Sequence, residues 1–189
     1  MPTTQPAYDK DKFKELILYI ARKSEDDPKY GAAKLAKLMY FIDFEAYGAL
    51  GASVTGARYH LIARGPAPKA LKPVRDEMAT ADPPEIRIRP VPSGGARDQE
   101  RVEALRDPDT SVFSNDERRL IDEVIERYKP LNGSEISAKA HEEIGVRLAA
   151  EREEIPYGTV YLSNSPWTQE EIAYAQRRMK ERGWARPAA

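Results

Sequence analysis

Residues 32–47 constrain the fold more than any other stretch of this chain. At about 100° per residue, Leu35, Leu38, Met39, Ile42 and Ala46 make one aliphatic stripe of a helix. Tyr40, Phe44 and Tyr47 make an aromatic stripe on roughly the opposite side, and Lys34, Lys37 and Glu45 leave a narrow wetted strip. A helix apolar on two faces is either central in a helical core or keeps one face for a partner. Only one stripe can face the centre of a thin domain. Tyrosine rings with polar tips are enriched at interface cores. Tyr40, Phe44 and Tyr47 are therefore candidate partner-binding residues, with Arg64 as a charged contact at the rim.

The flanking pattern is that of an α+β, mainly α chain: a helical core with a small antiparallel β-sheet. Asp9 or Asp11 can cap a first helix whose buried face is Phe13, Leu16, Ile17, Ile20 and Ala21. Residues 57–64 alternate as a strand, Gly65-Pro66 breaks it, and a short helix follows over 69–78. Ile86 and Ile88 alternate with Arg87 and Arg89 in a second strand over 85–91. Residues 92–111 hold Pro-Ser-Gly-Gly and little apolar content, which predicts a mobile internal connection with a weak helical turn at 100–106. Ser114 and Glu117 form a capping box for a helix buried through Leu120, Ile121, Val124, Ile125 and Tyr128. Ser134 is expected to cap the next helix, with Gly145 ending it. Residues 159–162 are β-rich, and Ser165-Pro166 opens a last helix ending in Arg177, Arg178, Lys180 and Arg182. The expected organisation is a single domain over 9–184, with 1–8 and 185–189 as flexible termini.

Composition narrows the chemistry. The 189 residues contain no Cys, which excludes a disulfide scaffold, thiolate metal sites and cysteine nucleophiles. The longest apolar run, 16–21, is far short of a membrane span, and no secretory signal opens the chain. A cytoplasmic protein without membrane contact is expected. A net charge of -1 argues against a global polyanion binder. His60 and His141 have no evident reason to meet, and no phosphate loop, nucleophile elbow or paired-histidine helix is present. Asp26-Asp27 and Glu153-Glu154 read as solvated surface. No catalytic residue, cofactor or metal is expected, and a hydrolase is the weakest class. Two basic features stand out. Arg58, Arg64, Arg87 and Arg89 would share a sheet face if the strands pair, and the C-terminal cations cluster with Trp184. Either can touch phosphates; outer-face solubility and helix-dipole complementation explain both as well.

The stretch Lys34-Leu-Ala-Lys37-Leu-Met-Tyr40-Phe-Ile-Asp43-Phe44 resembles the signature helix of the Panacea domain, a Soc-type, phage-associated antitoxin domain family. Gly51 to Gly56, the following strand, and Gly65-Pro66 before a short helix continue the resemblance. Downstream, Ser134-Glu-Ile-Ser137 with His141, and Ile155-Pro156-Tyr157, are similar to later family motifs. Arg64 stands where members often have an aromatic, and Gly145-Val146 where they often have a Trp. The resemblance implies an antitoxin that neutralises a cognate protein toxin by direct contact, with no catalytic residues carried over. It also implies an adaptor role, delivering a bound toxin to a AAA+ protease, for one relative. The alternative from the residues is a nucleic-acid-binding regulator.

Overall fold

The structure, a computed structural model, describes residues 6–91 and 99–162, together with 169, 170, 173, 174 and 177. Its elements in chain order are α1 (Lys10–Lys23), α2 (Ala32–Leu50), β1 (Tyr59–Ile62), β2 (Gly65–Pro68), α3 (Leu71–Thr80), β3 (Ile86–Val91), β4 (Gln99–Ala104), α4 (Asn115–Tyr128), α5 (Gly133–Glu142) and α6 (Ile144–Leu148). Short 3-10 turns lie at Thr110–Val112 and Tyr157–Tyr161. The fold is α+β and mainly α, with strands confined to two separate antiparallel hairpins, β1–β2 and β3–β4.

Helix α2 runs through the middle. α1, α4, α5, β2, β4 and the Tyr157–Tyr161 turn all pack on it. Its aliphatic stripe is fully buried, with Leu35, Leu38 and Ile42 at 0% exposure. The aromatic stripe is buried too: Tyr40 keeps 2% of its surface and Phe44 4%. The expectation that only one stripe faces the centre is corrected, because the β1–β2 hairpin and the Tyr157–Tyr161 turn form a second wall. Phe44 lies 4.6 Å from Tyr157 and 5.5 Å from Tyr59, centroid to centroid, and Tyr40 lies 5.7 Å from Tyr59. The wetted strip is corrected as well. Lys34 and Lys37 are each 1% exposed.

Several local expectations also change. The stretch expected as a mobile connection, 92–111, contains a strand. β4 pairs with β3 so that Val102 sits opposite Ile88 and Arg101 opposite Arg89. One buried apolar residue, Val102, is enough for a strand whose other side chains, Ala104 apart, are polar. Arg101 adds an anchor: its guanidinium donates to the carbonyls of Ser24 (2.9 Å), Glu25 (2.6 Å) and Asp27 (2.8 Å), in the turn that follows α1. Residues 92–98 of that expectation lie outside the described residues. Gly65-Pro66 does not end the β structure but begins β2, with Ala63-Arg64 as the turn and Gly65 at φ +91. Because the hairpins are separate, Arg58 and Arg64 do not share a sheet with Arg87 and Arg89.

The helix caps divide similarly. Asp9 caps α1 and the Ser114–Glu117 box caps α4, as the sequence predicts. For α5 the cap is Asn132, not Ser134. Its side chain accepts from the Ser134 and Glu135 amides, and Glu135 reaches back to the Asn132 amide at 2.7 Å. Gly145 is not a terminator: it lies inside α6, where an added Cβ would overlap Thr159 Oγ1 and come 2.8 Å from Thr159 Cβ. The β-rich residues 159–162 form a 3-10 turn, tied down by the Tyr157 hydroxyl donating to the Ala57 carbonyl at 2.7 Å. Of the helix expected from Ser165, Gln169, Glu170, Ala173, Tyr174 and Arg177 are described and are helical; Ser165 itself and the cluster Arg178, Lys180, Arg182 and Trp184 lie outside the described residues. Among the described residues, no helix is long and apolar enough to cross a membrane.

Candidate functional site

The polar residues of the α2 motif explain themselves by packing. Lys34 Nζ donates to Asp27 Oδ2 at 2.6 Å and to the Lys129 carbonyl at 2.9 Å, tying the turn after α1 to the end of α4. Asp27, expected as solvated surface, is therefore half of a buried ion pair. Asp43 is 0% exposed. Its carboxylate accepts from the Thr55 amide at 2.8 Å, the Thr55 hydroxyl at 2.5 Å and the Tyr59 hydroxyl at 2.7 Å. Burial pushes the Asp43 carboxyl upward and these donors pull it back. The three groups clamp the 51–58 loop and β1 onto α2.

Lys37 differs. Its ammonium donates to the Pro66 carbonyl at 2.9 Å, and no carboxylate pairs with it among the described residues. Burial, reinforced by the nearby Arg64 guanidinium, draws its amine down to about 8. Lys37 lines a groove of about 710 Å³ between α2, the β1–β2 hairpin and α3. Ala32, Ala33 and Ala36 from α2, with Ala67, Leu71 and Ile88, supply its apolar lining; Ile62, 44% exposed, stands at its margin. Among the described residues, six cations, Lys37, Arg64, Lys69, Lys72, Arg75 and Arg152, face two carboxylates, Asp76 and Glu100. Lys72 pairs with Asp76 at 2.6 Å and Arg75 with Glu100 at 2.8 Å. Lys37, Arg64, Lys69 and Arg152 thus form the surplus. His60 Nδ1 and Arg75 Nε, which also belong to the lining residues, are buried without a hydrogen-bond partner.

The four predicted contact residues are scattered by this geometry. Tyr40 and Phe44 are interior and present no face to a partner. Tyr47 is half-buried, stacked at 5.3 Å on Tyr157 and 5.9 Å from the exposed Tyr161. Arg64 is exposed at the hairpin tip beside Lys37, ten positions back along α2 from Tyr47, or about 15 Å of helix. Tyr47 and Arg64 therefore do not share a rim. The groove cations Lys37, Lys69, Lys72, Arg75 and Arg152 were not legible as a cluster, because α2, α3 and the 150–154 turn meet only in three dimensions. The one linear signal was a lysine, Lys37, set among the apolar residues Leu35, Ala36, Leu38 and Met39. The arginines of the other hairpin share one carboxylate: Arg89 bonds Glu103 at 2.8 Å and Arg87 approaches it at 3.7 Å.

A largely buried central helix, a clamped loop and hairpin, and a cationic groove beside them make up a small scaffold domain. Residues 35–144 match the family model described as antitoxin SocA-like, Panacea domain, and the chain belongs to this family. No curated protein and no solved structure matches it.

Proposed function

We propose that this protein is the antitoxin of a toxin–antitoxin pair and neutralises a cognate protein toxin by direct, stoichiometric binding in the cytoplasm, without catalysis. The observation that carries this reading is the family match across 35–144, which spans α2, both hairpins, α3, α4 and α5. The domain's polar residues support it. Lys34, Asp27, Asp43 and Tyr59 are consumed in holding the scaffold together. Glu103 offsets one of the two charges of Arg87 and Arg89, which lowers the charge available to the alternative of nucleic-acid binding through that hairpin.

The test is co-expression with the adjacent open reading frame. Growth rescue together with co-purification of the two products is the expected result. Rescue without a complex would point to a transcriptional or enzymatic antitoxin. Complex formation should weaken with salt less steeply than phosphate binding does. Tyr47, the aromatic of α2 that reaches the surface, is proposed as a contact; Tyr47→Ala should weaken the complex by about 1–3 kcal/mol, and unaltered affinity removes it from the interface.

A further inference from the structure

We propose that the groove between α2, the β1–β2 hairpin and α3 is the docking site for an acidic, aliphatic-containing peptide segment of the partner toxin; this rests on the antitoxin reading and names the surface and the partner chemistry. Charge complementarity is the first ground. The chain carries a net charge of -1, yet the described residues of this groove gather six cations against two carboxylates. A local surplus of that kind on a near-neutral protein selects an anionic ligand.

The second ground is independent of the exposed charge. Lys37 is 1% exposed and gives one hydrogen bond, to the Pro66 carbonyl, out of three that an ammonium can donate. Arg75 is 7% exposed, and its Nε has no acceptor although its terminal nitrogen holds Glu100. His60 Nδ1 is buried and unpartnered on the same lining. Buried polar groups are nearly always satisfied, so three under-used nitrogens around one groove mark a place where acceptors arrive from outside. Carboxylate oxygens are acceptors of that kind and form the stronger, charge-assisted bonds.

The lining also separates a peptide from a nucleic acid. Among the described residues, it contains no Phe, Tyr or Trp on which a base would stack. It offers instead the methyl groups of Ala32, Ala33 and Ala36 and the aliphatic Ile62 and Ile88. Aliphatic side chains alternating with carboxylates satisfy both halves of the groove, and a phosphodiester chain satisfies one.

The experiment uses the full chain and a fluorescent acetylated peptide alternating glutamate and leucine, followed by anisotropy. The wild type should bind it and should ignore the glutamine–leucine analogue. Arg64→Ala/Lys69→Ala, at two exposed positions, should bind about tenfold more weakly while melting like the wild type. Equal binding of the neutral analogue, unchanged affinity of the double variant, or displacement of the peptide by a single-stranded oligonucleotide or by inorganic phosphate would overturn the proposal. Toxin co-purification separates the two readings. If the wild type and Arg64→Ala/Lys69→Ala capture the toxin equally, the groove is not its docking site and the antitoxin reading stands. If the wild type captures no toxin but discriminates the acidic peptide, the antitoxin reading fails and the groove's specificity stands.

Discussion

Replacing Lys34 by Met tests whether the buried ion pair holds the first turn to the fourth helix. The Lys34 and Asp27 side chains are 1% and 6% exposed and meet at 2.6 Å. Removing the ammonium leaves the Asp27 carboxylate buried with the Lys29 amide, at 2.8 Å, as its remaining donor, and strips a donor from the Lys129 carbonyl. An uncompensated buried charge of this kind costs about 3–5 kcal/mol. That is a large part of a typical stability of about 5–15 kcal/mol. At about 2–4 °C per kcal/mol for a chain of this size, the melting temperature should fall by roughly 10 °C. Thermal melts and urea titrations of Lys34→Met, Asp27→Asn and the double variant close a cycle. The double variant should be less damaged than the two singles added, by about 2 kcal/mol, since neither charge is then stranded. A Lys34→Met protein within about 1 kcal/mol of wild type, or a strictly additive cycle, would refute the reasoning.

Lys37 carries the clearest pH dependence: its folded-state value of about 8 lies below the ordinary 10.5, so between them the unfolded chain holds a proton that the folded chain releases. The lysine's penalty is therefore complete below pH 8 and fades as pH rises towards 10.5. The melting temperature of Lys37→Met relative to wild type should be highest near pH 7 and decline across that window; a constant difference would place the lysine in solvent. Leu38→Ala and Phe44→Ala should both destabilise, by about 2–5 and 3–5 kcal/mol, because the two stripes of α2 are both interior; urea titration that spares Phe44→Ala would show the aromatic side to be open. Gly145→Ala forces a methyl group against Thr159 and Ile155 and should cost about 1–3 kcal/mol by thermal melt, while a neutral result would mean that the Tyr157–Tyr161 turn yields freely.

Local patterns were legible where one element decided the outcome. The α1 cap, the Ser114–Glu117 box and the 3.6-residue stripes of α2 follow from short-range geometry, and the structure has them. Strand β4 was hidden because its sequence, Gln-Glu-Arg-Val-Glu-Ala, has one strongly apolar residue and depends on pairing with β3. The dual burial of α2 was hidden for a related reason. A helical wheel shows two apolar faces but not the second wall, which comes from residues 59–68 and 157–161. Lys34 and Lys37 read as surface because lysine usually is; their partners, Asp27 and the Pro66 carbonyl, lie seven and 29 positions away. The groove was the least legible feature. Its cations come from four separate stretches of chain, and none forms a run.

The enclosure of α2 divides labour within the sequence. Among its first fifteen positions, the aliphatics, the inner aromatics, both lysines and Asp43 all answer to neighbours inside the domain. These positions of α2 are thus a frame, and what they leave free lies elsewhere: at the hairpin tip, on the exposed side of α3, and at the far end of α2. If the proposed groove is the docking site, Arg64 and Lys69 can be varied over an unchanged interior, and an engineer wishing to retarget the domain has a short set of exposed positions to begin from.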